Sequence, residues 1–508
     1  MYAKLHSATV YGIDGIIVEV EVDIHNGLPA FDVVGLPDSA VRESRERVRS
    51  AIKNSGGRFP LQRITTNLAP ADLKKEGSGF DLAIALGVMG ASGQVPLEQA
   101  RDLLLLGELA LDGMLRPLTG VLPMVIAGRE RGFRRVMLPR QNAPEARLVE
   151  GVEVISVGSL KDAVQVLRGE VLPETPESEN GEPEEPSTDD FVDVQGQSHV
   201  KRALEVAAAG MHNILMIGPP GSGKTMLARR IPSILPDMTD QESLEVTKIF
   251  SIAGLFGGRG KLITRRPFRS PHHTISQAGL IGGGTVPKPG EVSLAHRGVL
   301  FLDEMPEFSK SALEVLRQPL EDREVTISRA RAVFTYPAEF MLVGSMNPCP
   351  CGFFGWEEDR TCTCTPRQVH RYRSRISGPL LDRIDIHVEV PRVDFKTLTA
   401  TKPSEGSAAI RERVNRARRI QEERFKGRRH RTNSGMSPSD IRRFCPLDAP
   451  SRHMLRAAFD SLGLSARAHD RILKVARTLA DLAGEEKIRE EHMAEAIQYR
   501  VLDRKFWE

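Results

Sequence analysis

Residues 214–225 constrain the fold of this chain more than any other part of its sequence. They begin with four apolar residues that predict a short buried strand, and they end where a helical pattern starts. Between the strand and the helix, glycines stand at the spacing of a P-loop, whose backbone N–H groups wrap a polyphosphate. The segment therefore predicts an α/β fold and a nucleoside-triphosphate site. The predicted nucleotide-binding residues are Gly218, Pro219, Pro220, Gly221, Ser222, Gly223, Lys224 and Thr225.

A second predicted strand ends in two acids. Residues 299–302 are apolar, and Asp303 and Glu304 follow them directly. A hydrolytic P-loop enzyme needs one acid that holds Mg²⁺ beside the P-loop hydroxyl and another that activates the attacking water. We therefore predict that Thr225 and Asp303 are Mg²⁺ ligands. Lys224 is predicted to contact the outer phosphates of ATP, and Glu304 is predicted to act as the catalytic base.

A third strand, residues 341–346, precedes Asn347, whose amide can orient the attacking water. The order of these motifs resembles that of AAA+ ATPases, in which Asn347 is the first sensor. Further segments narrow the resemblance to magnesium-chelatase-type ATPases, which carry one additional hairpin in the second helix of the core and another before the sensor strand. These segments are residues 267–276, 282–284, 289–296 and 325–331.

The same resemblance implies roles for several arginines. The segment around Arg383 is similar to the family's arginine-finger segment, which implies that Arg383 reaches the γ-phosphate bound by a neighbouring subunit. Arg467, at the start of a long predicted helix, resembles the second-sensor arginine. Related helicases place a basic hairpin residue in the pore of a ring, which implies DNA contact by Arg329 and by Arg331. The alternative for Arg329 is a structural ion pair with an acid such as Glu324 across the hairpin.

Four of the five cysteines cluster just after the sensor strand. Two close pairs of thiolates can form a tetrahedral zinc site, and four protein ligands make such a site structural. The alternative is four free thiols, because Cys-x-Cys is a less common zinc spacing than Cys-x-x-Cys. Cys445 stands apart and is predicted to lie in the core. The predicted zinc ligands are Cys349, Cys351, Cys362 and Cys364.

Residues 1–169 predict a mixed α/β domain, because alternating apolar runs are separated by helical segments. Within it, residues 70–86 and 107–123 resemble the Lon-type protease fold, which is of the ribosomal S5 type. An ungapped comparison places the Lon serine at Gly79 and the Lon lysine at Pro123, so the Ser–Lys chemistry is missing. We expect this degenerate domain to dock subunits or DNA.

The rest of the chain divides where its composition changes. Residues 170–190 hold nine acids, four prolines and no basic residue, which predicts an extended linker. Residues 191–392 predict an AAA+ core with a parallel sheet that includes the cysteine cluster at 349–364, and residues 393–508 predict a helical lid domain. Within the lid, residues 411–431 carry ten Lys or Arg against three acids, which indicates either a solvated helix face or nucleic-acid contact.

The composition excludes several classes of protein. The chain has 508 residues, of which 40% are hydrophobic and 27% are charged, as expected of a soluble protein of several domains. No run approaches the ~18 apolar residues of a membrane span, and the N-terminus lacks an apolar signal core. We therefore expect a cytoplasmic protein without a membrane partner. The net charge of +3 identifies no partner.

The whole arrangement resembles the ComM/YifB family over nearly the full chain. The resemblance implies a hexameric, ATP-driven motor that promotes branch migration of single-stranded or branched DNA during homologous recombination or natural transformation. A magnesium-chelatase motor subunit acting on a porphyrin is the alternative, although that subunit lacks this N-terminal domain and this cysteine cluster. The missing lysine disfavours an ATP-fuelled protease, and Glu304 disfavours an ATP-dependent scaffold. The expected cofactors are ATP, Mg²⁺ and a structural Zn²⁺.

Overall fold

The computed structural model describes most of the chain. Most of the predicted acidic linker lies outside the described residues, and so does Arg331. The residues that are not described are Leu73, Glu76, 171–188, 258–259, 285–286, 330–331, 357–359, 395–403, Arg429 and 503–508.

In the described part of the N-terminal region, the central element is a mixed seven-stranded sheet. The strands of this region are β1 (Tyr2–Tyr11), β2 (Asp14–His25), β3 (Ala30–Val34), β4 (Arg63–Ala69), β5 (Leu103–Leu105), β6 (Glu108–Leu109), β7 (Leu115–Arg116), β8 (Arg135–Pro139) and β9 (Glu153–Val157). Their order in the sheet is β3-β4-β2-β1-β5-β8-β9, while β6 and β7 form a separate hairpin. The pairs β1–β2 and β2–β4 are antiparallel and the other pairs of the sheet are parallel.

Helices cover this sheet, and the predicted mixed α/β class is confirmed. The Asp38 carboxylate accepts a hydrogen bond from the Val41 N–H at 2.7 Å, which caps the first helix where the sequence pattern begins. The second helix is buried on nearly every side, as its uniformly apolar sequence requires. The helices are Ser39–Asn54, Asp81–Ala91, Val121–Glu130, Ala143–Ala146 and Leu160–Leu167.

A parallel sheet forms the centre of the ATPase core. The strands of the core are β10 (Ile214–Ile217), β11 (Phe268–Arg269), β12 (Gly282–Gly283), β13 (Lys288–Pro289), β14 (Val299–Leu302), β15 (Glu324–Arg329), β16 (Ala332–Pro337), β17 (Met341–Met346) and β18 (Ile386–Glu389). Among the described residues, five strands pair in the order β11-β14-β17-β10-β18, all parallel. Every residue of β10, β14 and β17 is buried, because both faces of the sheet are covered. The residues that follow these three strands therefore meet at one edge of the sheet.

Short hairpins and helices surround the parallel sheet. The additional hairpins implied by the family resemblance are β12–β13 and β15–β16. In the β15–β16 hairpin, Arg329 pairs with Ala332, whereas Glu324 pairs with Pro337 at the other end. Glu324 is therefore not the cross-strand neighbour of Arg329, since the two residues lie on the same strand ~17 Å apart. The helices are Ser198–Gly210, Lys224–Arg230, Asp240–Ala253, Gln277–Ile281, Glu291–Leu294, Lys310–Glu314, Arg317–Asp322, Pro366–Arg373 and Gly378–Leu381.

The C-terminal region is helical, as predicted. Its buried apolar residues share one hydrophobic core with the helix Ser198–Gly210 and one face of the parallel sheet. Within the described residues, no helix has both the length and the apolar composition needed to cross a bilayer. The C-terminal helices are Ser407–Arg424, Pro438–Phe444, Ala449–Leu462, Ala466–Ala483 and Glu490–Gln498.

The N-terminal region packs on the ATPase core of the same chain. The Gly120 N–H donates to the Ser251 carbonyl oxygen at 3.0 Å, and the Ser251 hydroxyl donates to Glu145. The ring of Tyr11 lies 4.9 Å from the ring of Phe334 in the β15–β16 hairpin. Its hydroxyl donates to a hairpin carbonyl oxygen at 3.3 Å. The N-terminal region therefore contacts both the Asp240–Ala253 helix and the β15–β16 hairpin.

Candidate nucleotide site

The P-loop connects the carboxyl end of β10 to the helix Lys224–Arg230. Gly223 has a φ of +87°, a conformation that glycine adopts without steric cost. A Cβ atom at Gly218 would lie 2.2 Å from the carbonyl oxygen of Val390, so this position has no room for a side chain. The sequence therefore carries glycine where the backbone geometry of a phosphate-binding loop demands it.

Lys224 is held inside the loop by the loop's own backbone. Its Nζ donates to two P-loop carbonyl oxygens at 2.8 and 2.9 Å and lies 3.2 Å from Oδ1 of Asn347. Burial lowers the pKa of Lys224 to about 8, although the carboxylates of Asp303 and Glu304 oppose this shift. The buried ammonium is partly desolvated, so an anionic phosphate is a strong partner for it.

The predicted Mg²⁺ ligands come together as expected from the strand order. The Thr225 hydroxyl donates to Oδ2 of Asp303 at 2.7 Å. The other carboxylate oxygen, Oδ1, accepts hydrogen bonds from the Ser345 hydroxyl and, at 3.1 Å, from the Glu304 N–H. A hydroxyl and a carboxylate are the oxygen ligands that Mg²⁺ prefers, so these side chains fit the ion.

Glu304 follows Asp303 in a left-handed conformation, with a φ of +50°. Such a backbone costs about 1 kcal/mol or more in a residue other than glycine and is most often retained at functional sites. The Glu304 N–H donates to the Ser345 hydroxyl at 3.2 Å, and its side chain is exposed to solvent. The carboxylate is therefore accessible to solvent at the carboxyl edge of the sheet.

Sequence analysis missed two side chains of this site. Ser345 is a polar residue in the otherwise apolar strand β17, and that contrast is the signal that can identify it. Gln197 has a φ of +52° just before the helix Ser198–Gly210. Its Nε2 donates to the carbonyl oxygens of Ser222 and Pro391, both at 2.9 Å. Gln197 therefore ties the P-loop to the segment after β18.

Arg383 and Arg467 lie together at the opposite edge of the sheet. They line a cavity of about 470 Å³ with Asn213 and Asp385, residues that precede β10 and β18. Arg383 forms an ion pair with Glu321 and donates to a backbone carbonyl oxygen at 2.7 Å. The P-loop follows the other end of β10, and four strand residues span ~13 Å. The structure therefore brings the two arginines together but keeps them away from the P-loop of the same chain.

Asp385 anchors the segment that carries Arg383 to the sheet. Burial raises the pKa of this carboxyl, but Arg471 and His212 more than offset the effect and hold the pKa well below its usual range. The carboxylate accepts a hydrogen bond from the Asn213 N–H at 3.1 Å, directly before β10. Arg383 lies two residues before Asp385, so its backbone is held close to a fixed point of the parallel sheet.

Part of the basic segment 411–431 packs against the rest of the chain, while Arg411, Arg416, Arg419, Lys426 and Arg431 remain exposed. Several of its arginines form ion pairs within the chain, because the helix Ser407–Arg424 is packed on both the ATPase core and other lid helices. Arg413 pairs with Glu205 and Glu405, and Arg424 pairs with Asp481. These arginines stabilise the fold, so the charge of the segment is not a measure of its nucleic-acid contact.

The four clustered cysteines have the geometry of a metal site. Their sulfur atoms all lie within 4.8 Å of one another. Cys349 Sγ is 3.3 Å from Cys351 Sγ and 3.8 Å from Cys362 Sγ. A tetrahedral zinc site with Zn–S bonds of 2.3 Å has sulfur atoms ~3.8 Å apart, whereas a disulfide needs ~2.05 Å. The donor set therefore fits Zn²⁺. Cys445 is buried, as predicted.

Gly79, the position aligned with the Lon serine, lines a cleft that is built from both regions of the chain. The cleft is a cavity of about 320 Å³ lined by Ser78 and Gly79 of the N-terminal region and by Phe334 and Tyr336 of the β15–β16 hairpin. The Ser78 hydroxyl donates to the Glu108 carboxylate, an arrangement unlike a serine–lysine pair. The cleft therefore contacts the core rather than presenting protease chemistry.

Comparison with known proteins places these features in a family. Residues 190–398 match the family described as "Magnesium chelatase, subunit ChlI". Residues 20–142 match "Subunit ChlI of Mg-chelatase", and residues 404–500 match "Magnesium chelatase, subunit ChlI C-terminal". The chain is 44% identical to competence protein ComM of Haemophilus influenzae over 515 residues, covering 99% of this chain and 98% of that protein. It is 43% identical to the uncharacterized protein YifB of Escherichia coli over 501 residues, covering 98% and 97%. Lon protease 2 of Bacillus subtilis is 30% identical over 183 residues, which are 32% of this chain and 33% of that protein.

Proposed function

The chain belongs to the family of ComM and YifB, magnesium-chelatase-like AAA+ proteins, and from this premise we propose that it is an ATP-hydrolysing DNA motor. The motor is a ring of identical subunits that works in the cytoplasm. The resemblance to the family implies six subunits in the ring. It promotes branch migration of DNA during homologous recombination or natural transformation. The similarity to a competence protein over nearly the full length supports the DNA substrate.

The arrangement at the carboxyl edge of the parallel sheet supports ATP hydrolysis. Lys224 binds the outer phosphates, and its ammonium exchanges the P-loop carbonyl oxygens for phosphate oxygens. Thr225 and Asp303 hold Mg²⁺, which neutralises phosphate charge when bound. Glu304 accepts a proton from the attacking water, and Asn347 orients that water through its amide. Asp303, Glu304 and Asn347 directly follow strands of the parallel sheet, and Lys224 and Thr225 begin the helix after the P-loop.

The separation of the arginines from the P-loop is the observation that carries the oligomeric part of the proposal. Arg383 and Arg467 line one cavity at the amino edge of the sheet, whereas the P-loop lies at the carboxyl edge. Arg383 and Arg467 are therefore placed to serve the P-loop of a neighbouring subunit, as arginine fingers in trans do. Repeating one such contact around a closed ring gives every P-loop a partner.

The cysteine cluster supports one structural Zn²⁺ per chain. All four sulfur atoms fit a tetrahedral ion, and four protein ligands leave no position for a substrate. Elemental analysis of protein purified without added metal tests this directly. One zinc per chain is expected, and a properly folded protein free of zinc would leave only the free thiols.

The test of the motor function is the rate of ATP hydrolysis with and without DNA. Single-stranded and forked DNA should raise the rate, and forked DNA should be converted by branch migration in the presence of ATP. A porphyrin serves as the control, because the matched families are named for magnesium chelatase. Stimulation by porphyrin alone would favour the chelatase-type motor instead. An equal rate under all conditions would contradict both substrates.

A further inference from the structure

The cysteine loop, residues 349–364, is directly connected to the nucleotide site. It begins two residues after Asn347, so the first cysteine and the sensor amide are separated only by Pro348. The Asn347 amide oxygen lies 3.2 Å from Nζ of Lys224. The loop is therefore covalently joined to a side chain that faces the P-loop.

The same loop also packs against the P-loop itself. A Cβ atom at Gly352 would lie 2.5 Å from Cδ of Pro220, a distance shorter than any ordinary contact. The backbone at Gly352 consequently packs against the ring of Pro220 more closely than a residue with a side chain could. Any shift of the cysteine loop toward the P-loop must move Pro220 with it.

Two arginines fasten the cysteine loop to the ATPase core. Arg392 donates to the carbonyl oxygen of Pro220 at 3.0 Å, and its guanidinium lies 5.6 Å from the centre of the Phe353 ring. Arg373 is buried and donates to the carbonyl oxygen of Pro348 at 3.0 Å, with its guanidinium 4.9 Å from the Phe354 ring. The aromatic side chains of the loop are thus bound to groups that contact the P-loop and the sensor segment.

The described part of the cysteine loop forms neither helix nor strand. Its shape therefore depends on its side chains, above all on the four sulfur atoms that converge on one point. A bound cation neutralises the mutual repulsion of the thiolates and fixes their separation. An occupied site would therefore hold the loop in one arrangement.

We propose that the four-cysteine loop is a positioning element of the nucleotide site, so that ATP binding depends on metal occupancy. This inference rests on the proposed ATPase function and adds a condition to it. With four cysteine ligands, a bound ion would have no position left for ATP or water. The loop would act on the nucleotide site through Gly352 on Pro220 and through Pro348 on Asn347.

The test compares two glycine variants in the full-length protein. Gly352 and Gly355 both lie in the cysteine loop with positive φ, +88° and +76°, so an alanine strains both backbones similarly. Only Gly352 faces Pro220, because a Cβ at Gly355 meets nothing within 4 Å. Zinc content is measured by elemental analysis, and nucleotide affinity is measured with a fluorescent ATP analogue in the presence of Mg²⁺.

Gly352→Ala should retain one zinc per chain but bind the analogue about tenfold or more weakly, since small misplacements of binding groups have large effects. Gly355→Ala should match the wild type in both measurements. Equal affinities for the two variants would overturn the positioning role. If the wild type itself does not bind the analogue, the proposed ATPase function fails together with this inference.

A second measurement removes the metal without altering the contact. Cys364→Ser, or chelation of the wild-type protein followed by zinc replacement, should lower the affinity by about tenfold or more while circular dichroism shows the helices intact. Restored affinity after zinc replacement supports the dependence on metal. Unchanged affinity after complete zinc loss would overturn it, and so would a wild-type protein that binds ATP without any zinc.

Discussion

The placement of Arg383 away from its own P-loop predicts that two inactive variants restore each other's activity. Lys224→Ala removes the ammonium that binds the phosphates, and Arg383→Ala removes the finger. Each variant alone should lose hydrolysis, by roughly 10³–10⁵ for the finger. In a mixed ring, however, a P-loop from the Arg383→Ala chain can meet a finger from the Lys224→Ala chain.

The extent of rescue follows from the single repeated contact. In an equal, random mixture, half of the interfaces offer an intact P-loop, and half of those face an intact finger. About one quarter of the interfaces, and about one quarter of the wild-type rate, should therefore return whatever the ring size. Arg467→Ala mixed with Lys224→Ala should give the same fraction, since Arg467 lines the same cavity.

The assay is steady-state phosphate release after the variants have been exchanged and reassembled. Native mass spectrometry confirms that rings contain both chains. As a control, the double variant Lys224→Ala, Arg383→Ala mixed with Arg383→Ala restores nothing, because neither chain then carries a finger. Mixed rings that hydrolyse ATP no faster than the single variants would refute the trans arrangement.

Three further predictions concern the chemistry and the substrate. Glu304→Gln should bind ATP normally but hydrolyse it about 10²–10⁴-fold more slowly, and single-turnover hydrolysis at the wild-type rate would exclude Glu304 as the base. Because burial lowers the pKa of Lys224 to about 8, its ammonium is charged below that pH and neutral above it. ATP affinity should therefore fall about tenfold between pH 7 and pH 9, while Lys224→Arg, which stays charged, should lack this dependence if it binds. Arg329→Ala combined with Arg331→Ala should weaken DNA-stimulated hydrolysis and branch migration without changing basal hydrolysis. In the wild type, the stimulation of hydrolysis by DNA should fall steeply as the salt concentration rises. Unchanged stimulation in the double variant would contradict pore contact.

Much of the core was predictable because its strands are buried on both faces. Continuous apolar runs such as β10 and β14 have few alternative environments, and the residues that follow them must share an edge of the sheet. The meeting of Thr225 with Asp303 and of Lys224 with Asn347 follows from that rule alone.

Features that depend on side-chain orientation and on long-range contacts in the folded chain were not predictable in the same way. The basic segment 411–431 reads as a charged surface, yet Arg413 and Arg424 turn toward acids of distant elements. The register of the β15–β16 hairpin, which pairs Glu324 with Pro337 and Arg329 with Ala332, is set by pairing that a single strand pattern does not contain. The sequence around Gln197 did not indicate its role in the site, because its contacts join three parts of the chain that are remote in sequence.

The contact of Tyr11 with the β15–β16 hairpin has a mechanical consequence for a motor. The hairpin leaves the core just before the sensor strand, so in the proposed motor any tilt of the hairpin would also pull on the Phe334 ring and on Tyr11. The N-terminal region must then either travel with the hairpin as a lever or detach from it once per cycle. A lever amplifies a small tilt into a large swing at the far side of the seven-stranded sheet. A donor–acceptor pair of dyes across β3 and the ATPase core would record that swing as an oscillating distance during turnover.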